Sequence, residues 1–396
     1  MKVVKILFKT LLYIALTFVM LVVSFSIFVP SYSFEEPKPF SGTYLHNPYK
    51  DMNPDNWIQS NFHAHTRQFV GVTNGRINTN EMLDSVYSAL GFQHIGISDY
   101  NTINYYDSAN PSFVPAYEHG YGIFKIHQLC IGADKVRPVD YLLFQNLSMK
   151  QHTLNRLSEH ARLVIPAHPS FVKNGYLVED MKYLSNYKLM EVLNGFRIST
   201  NHWDTALSNG HLVYLIGNDD SHDVTDVSDV AKRFTMINAP ENKAELLLQA
   251  LENGNAVGVD FQLRKNETLE NKIQRLEKDL PYIRQVELRG DTLLISASKK
   301  IGTIKFIGQN GEELDVQKRQ TTAKYVVQPE DTYVRCVLMF SCGTTLYLNP
   351  ITRHENEVIV KQRLDKINYP KTIMLWTIYA VILGFIVFMG LRGFRR

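Results

Sequence analysis

The stretch Asn61-Phe62-His63-Ala64-His65-Thr66-Arg67, NFHAHTR, sets the reading of the whole chain. On a strand, residues i and i+2 point to the same face, so His63 and His65 present two imidazoles side by side. That is the beginning of a metal site. Alone, such a pair carries little weight, because the chain holds 13 histidines in 396 residues. The reading turns on whether later segments supply the remaining ligands.

From about residue 56 to 260, strand-like and helix-like patterns alternate. WIQSNFHAH reads as a strand. NTNEMLDSVYSAL reads as a helix, with Asn78 and Glu81 as a capping box and Gly91 past its end. HIGIS, RLVIPAH, LMEVLN and HLVYLIGNDD read as strands. MKQHTLNRLSEHA, HWDTALSNG and NKAELLLQALENG read as helices. Repeating βα units predict an α/β fold with a parallel sheet, either a barrel or a doubly wound sheet. Parallel strands bring their C-terminal ends to one rim, and there the polar residues collect. The strand ends and their loops supply His63 and His65, then Asp99 and Tyr100, Glu118, His127, His168, Glu191, and finally Asp220 and His222. Five of the 13 histidines fall at such positions.

The ordered series resembles the polymerase and histidinol phosphatase (PHP) family of metal-dependent phosphoesterases. The segments that carry the resemblance are His63-Ala64-His65, Ser98-Asp99-Tyr100-Asn101-Thr102, Pro115-Ala116-Tyr117-Glu118, His127, Ala167-His168-Pro169 and Asp219-Asp220-Ser221-His222. The block WDTALSNGHLVYLIGNDDSHD is especially family-like, and the likeness covers roughly residues 56 to 260. It implies a distorted TIM-like (β/α)7 barrel. It implies that His63, His65, Glu118 and Asp220 surround one metal, and that Glu118 bridges to a second held by His127 and His168. His222 then faces the substrate or a third metal. The family's histidine in the T-D-H segment is Tyr100 here, and Asn74 stands where an acidic residue is often found. A third site thus loses a ligand, and the expected centre is dinuclear.

The chemistry of the donors agrees. Imidazoles with one or two carboxylates suit Zn, Mn or Fe. Paired ions lower the pKa of bound water to near 7, which supplies hydroxide, and they neutralise phosphate oxygens. Other roles stay open. His222 is a general acid or a further ligand. Arg67 clamps a phosphate or is a surface residue. Asp99 orients a neighbour. Tyr100 contacts substrate or fills the space of the missing histidine. His119 rivals Glu118 as a ligand, and His202 rivals His222.

The remainder of the chain frames this region. Thr10 to Val29 and Thr372 to Leu391 are uncharged runs of 20 residues, each long enough to span a bilayer. Lys2, Lys5 and Lys9 precede the first, which places both termini in the cytoplasm and the body outside. The first run reads as an uncleaved anchor. Residues 1–31 are thus an N-terminal anchor, 32–55 a linker, 56–262 the metal-dependent barrel and 263–284 a connecting helix. Residues 285–355 follow as a small antiparallel β-sandwich, with Gln309-Asn310-Gly311 as a hairpin-type turn. Then come a linker over 356–371 and the C-terminal span over 372–391. Lys+Arg 42 against Asp+Glu 39 gives no basic footprint for nucleic acid. Three cysteines without a CxxC pattern provide neither a zinc knuckle nor a disulfide framework. The expected protein is a membrane-tethered hydrolase of phosphate esters, with monoesters favoured. The alternatives are a phosphodiesterase, a phosphotyrosine phosphatase, or a catalytically silent binding or sensor module.

Overall fold

The computed structural model describes residues 2–68, 75, 77–138, 140–359 and 363–394. The chain opens with helix α1 (Lys2–Ile27) and the short strands β1 (Tyr32–Phe34) and β2 (Tyr44–His46). The βα region holds β3 (Trp57–Asn61), α2 (Asn80–Ala89), β4 (His94–Ile95), β5 (Ala116–His119), β6 (Gln128–Ala133), α3 (Leu147–Leu157) and β7 (Ala161–Pro166). It continues through β8 (Leu189–Asn194), α4 (Thr200–Ser208), β9 (Tyr214–Asn218), β10 (Arg233–Asn238), α5 (Ala244–Glu252) and β11 (Ala256–Asp260). Helix α6 (Leu269–Asp279) leads to β12 (Ile283–Arg289), β13 (Thr292–Ile307), β14 (Glu313–Val326), β15 (Tyr333–Met339), β16 (Thr345–Leu348) and β17 (Ile351–His354). Strand β18 (Asp365–Ile367) and helix α7 (Tyr369–Phe394) close the chain.

Most of the elements read from the sequence are present, but their pairing differs from a parallel barrel. Among the described residues the strands form four sheets rather than one closed ring. Parallel pairing joins β3 to β4 and β8 to β9. Strand β10 runs antiparallel to both β3 and β11, and β5, β6 and β7 form an antiparallel set. The connections explain the difference. Only eight residues, 120–127, separate β5 from β6, too few for the dozen or more that a parallel crossover needs.

The C-terminal strands are continuous with the βα region. Strand β11 pairs with β16, so one 11-stranded sheet runs from the βα region through the later strands. An exposed β11 edge would present unpaired amides, and β16 covers it. The turn at Gln309-Asn310-Gly311 does join β13 to β14, with Asn310 and Gly311 at φ 59° and 76°. Helix α6 is shorter than the periodicity over 265–284 suggests. Leu280 precedes Pro281 and is extended, so the helix ends at Asp279 and Ile283 begins a strand.

The cap of α2 also differs from expectation. Thr79, not Asn78, accepts from the Met82 amide. Asn78 instead donates to the His65 carbonyl at 2.8 Å and accepts from the Val224 amide at 2.9 Å, which fastens two site loops together.

Among the described residues, one helix is long and apolar enough to cross a membrane, Tyr369–Gly390. Helix α1 carries a shorter apolar stretch, Leu7–Leu21. The uncharged run continues to Val29, but the helix stops at Ile27, just before Pro30. The two ends of the chain meet. Tyr32 to Phe34 pair with Ile367 to Asp365, and the Thr372 hydroxyl and Ser31 amide are 3.0 Å apart.

A buried ion pair fastens α4 to the C-terminal sheet. Arg335 donates twice to Asp204, at 2.6 and 2.7 Å, and stacks over Trp203. Arg335→Met leaves the Asp204 carboxylate buried without its cation and is expected to cost about 3–5 kcal/mol in denaturant unfolding. His94 is buried against Phe62, with ring centroids 4.4 Å apart, and His46 sits half-buried beside His354. Burial pushes both imidazoles down to about 4. Unfolding lets them protonate near 6.5, so the stability they contribute is present above that pH and is lost as pH falls from about 6.5 to 4. His94→Gln should flatten the decline of the unfolding midpoint across that window.

Candidate metal centre

The His63–His65 segment lies where β3 ends. The His65 amide donates to the Ser221 carbonyl at 3.0 Å, and the Ser98 amide to the Ala64 carbonyl at 3.0 Å. NFHAHTR is thus threaded between the two other polar segments. Phe62 and Ala64 are fully buried, while His63 and His65 turn toward the opposite side and meet carboxylates. Glu118 comes from β5. His127 immediately precedes β6, His168 follows β7, and Asp220 and His222 follow β9.

These seven side chains converge in three overlapping groups: His63, His65 and Glu118; Glu118, His127 and His168; and His65, Asp220 and His222. Within each group the donor atoms lie within 4.8 Å of one another. Glu118 is central and fully buried. Its Oε1 lies 2.6 Å from His127 Nδ1 and 3.1 Å from His168 Nε2. Its Oε2 lies 3.3 Å from His65 Nε2 and 3.5 Å from His63 Nε2. Asp220 Oδ1 approaches the same His63 and His65 nitrogens at 3.2 and 3.1 Å.

The donor set fits divalent metal. His63 Nε2 and Glu118 Oε2, which face one another, are buried with no hydrogen-bond partner. Buried polar atoms are normally satisfied, and two facing orphans of opposite kind are what a cation between them would satisfy. The backbone is bent to make it. His168 and Asp220 adopt φ 30° and 53°, a region that non-glycine residues enter at about 1–3 kcal/mol each.

The electrostatics are those of interlocked charges. Burial by itself would depress the His65 imidazole, but Asp220 and Glu118 push it up to about 9. His63 is raised well above its ordinary value against the same burial, by Asp220, Glu191 and Glu118. Burial would raise Glu118, yet the imidazoles, led by His127 and His63, hold it well below the usual carboxylate range. Burial lowers His127 and His222.

Around the ligands lies a polar network only partly visible in the sequence. Glu191, the lone carboxylate in the apolar strand LMEVLN, is fully buried and accepts from His63 Nδ1 at 2.8 Å. That bond fixes the ring so that Nε2 faces Glu118 and Asp220. Glu191 also accepts from the His168 amide and from the Asn194 and Asn218 side chains, at 2.8, 3.0 and 2.9 Å. Asp219 accepts from the Tyr87 hydroxyl and from the amides of Ala231, Lys232 and Arg233. It thereby anchors the strand end that carries Asp220.

The other residues singled out in the sequence fall in different places. Asp99 accepts from the Thr66 amide and hydroxyl, both at 2.7 Å, and so holds the chain just after His65. Arg67 has an exposed side chain outside the three groups. Arg197, also exposed, lies 5.9 Å from the Phe171 ring, which itself packs on His168. Tyr100 stacks on His65, with centroids 4.5 Å apart and planes at 16°. His119 bonds Gln128, and His202 bonds the Tyr176 carbonyl, both outside the three groups. Asn74 lies outside the described residues.

No protein-family model matches this chain, and no curated protein does. A search of solved structures returns a crystal structure of a two-domain protein containing a predicted PHP-like metal-dependent phosphoesterase, from Bacteroides vulgatus. It is 13% identical with a TM-score of 0.38, over 82% of this chain and 93% of that one.

Glu191→Gln tests the role of the carboxylate behind His63. Losing such an outer partner typically weakens metal binding about 10–100-fold. Competition titration with a chelating dye should show a loss of that size, with unchanged circular dichroism.

Proposed function

We propose that this chain is a metal-dependent hydrolase of phosphate esters, phosphomonoesters first, held at a membrane by α7 together with α1. Its catalytic body lies outside the cytoplasm and both termini lie within. The observation that carries the reading is Glu118, one buried carboxylate whose two oxygens are divided between two sets of imidazoles. His63, His65, Glu118 and Asp220 would hold one ion, and Glu118, His127 and His168 would hold a second. Bound there, Zn, Mn or Fe would supply an activated water and neutralise charge on the phosphate.

The chain's own groups do the remainder. Glu191 and Asp219 hold the ligand rings and loops in place. The His222 Nδ1 is 2.6 Å from the Asp220 carbonyl, which leaves Nε2 as the nitrogen that would protonate the leaving oxygen. Arg197, across the Phe171 ring from His168, would steady a phosphate. Tyr100 covers the His65 ring and limits water there.

Metal content and hydrolysis test this together. The full chain, purified without chelators, is expected to hold about two transition-metal ions and to hydrolyse p-nitrophenyl phosphate. His63→Ala and Asp220→Asn should each lower kcat/KM on the order of 10²–10³ while the protein stays folded. Folded variants as active as the parent would remove the assignment. A chain that takes up no Mn²⁺, Zn²⁺ or Fe²⁺ would favour a binding module instead.

A further inference from the structure

Two loops beside the metal centre carry apolar side chains into water. Tyr121 and Ile123 are 51% and 58% exposed, and Leu143 and Phe144 are 38% and 72% exposed. The loops are joined. The Ile123 amide donates to the Leu142 carbonyl at 3.0 Å, and the Tyr121 and Gly122 amides donate to the Asp140 carboxylate at 2.9 and 3.0 Å. Phe124 stacks on Phe144 at 4.8 Å. The exposed side chains therefore belong to one braced tip.

That tip stands against the membrane helices. Phe144 lines one cleft with Ile27 and Val29 at the end of the first helix, and with Lys371, Leu375 and Tyr379 of α7. Lys371 is the last charged residue before the apolar run, and Leu375 and Tyr379 lie one and two turns past it. Phe144 thus sits level with the beginning of the hydrocarbon-length segment. Lys125, exposed on the same tip, and Lys371 add positive charge of the kind that favours anionic headgroups.

The tip is also the ligand loop. Tyr121 lies three residues after Glu118, and Phe124 three residues before His127. Three residues span at most about 10–11 Å of chain. The headgroup layer on each side of a bilayer is roughly 5–8 Å thick. Glu118 lies at most about 10–11 Å from Tyr121, on the tip whose Phe144 shares a cleft with the start of α7's apolar run.

We infer that Tyr121, Ile123, Leu143 and Phe144 insert into the outer face of the bilayer and that the phosphate ester cleaved is carried by a membrane lipid. This rests on the phosphoesterase reading and on α7 crossing the membrane. In the reaction, the oxygen of water bonds to phosphorus and the P–O bond to the lipid breaks. One water proton ends on the lipid alcohol, and inorganic phosphate leaves.

The test uses the full chain in phosphatidylcholine vesicles with Mn²⁺. The probes are dioleoyl phosphatidic acid within the vesicles and p-nitrophenyl phosphate in solution. The double variant Ile123→Asp, Phe144→Asp is expected to lose at least tenfold in kcat/KM on phosphatidic acid and to stay within twofold on the soluble ester. If the parent cleaves the soluble ester but handles phosphatidic acid no better than the double variant does, the inference is overturned and the phosphoesterase reading stands. If neither ester is cleaved, both fall. Depth gives a readout independent of catalysis. A nitroxide on Phe144→Cys, in a chain with Cys342→Ser, should collide more with oxygen than with a water-soluble nickel complex. A reference label at Val326 on β14 should show the reverse. Equal water exposure of the two labels also overturns the inference.

Discussion

A carboxylate sealed from water must be paired, and Glu118 is sealed completely. An isolated charge at such depth costs several kcal/mol or more, and only close cations, shared protons or a metal offset it. Glu118 meets that constraint by dividing its oxygens, with His127 and His168 on one and His63 and His65 on the other. Much of the local architecture follows. Strand β5 must end beside the extended His63–His65 segment, and the chain after β7 and after β9 must turn sharply inward. His168 and Asp220 accept left-handed backbone angles to do so.

A second ring of polar groups makes those turns tolerable. Glu191 ties His63 to the His168 amide, and Asn194 links Glu191 to Asp220. Asp219 gathers three consecutive amides and the Tyr87 hydroxyl. With these bonds made, the candidate ligand side chains are held in place by the fold.

The convergence of the ligands was legible because strand-end histidines and carboxylates recur in order along the chain. His63, His65, Glu118, His127, His168, Asp220 and His222 meet in the structure as they are ordered in the sequence. The pairing of the strands was not legible. Alternating apolar patterns do not encode strand direction, and the short link between β5 and β6 decides it instead. Nor did the later β-prone runs announce that β16 would return to cover β11. Glu191 was visible as a carboxylate inside an apolar strand, but its bond to His63 depends on which residue stands opposite. Arg197 had no signal, since an arginine in a loop looks like any surface cation. The apolar tip hid for the same reason: YGIF and LLF resemble core segments until the fold leaves them exposed.

The meeting of distant strands bears on how the chain is made. Strand β2 pairs with β17, β1 with β18, and β11 with β16, so strand contacts span up to about 335 residues of sequence. Such long-range closures are slow to form. While the ribosome is still extending the chain past residue 260, β2 and β11 remain open edges able to pair with the wrong strand. Completion therefore waits for β18. The interval before it, when the ligand loops exist but the sheet is unfinished, is when the growing chain most needs shielding from its neighbours.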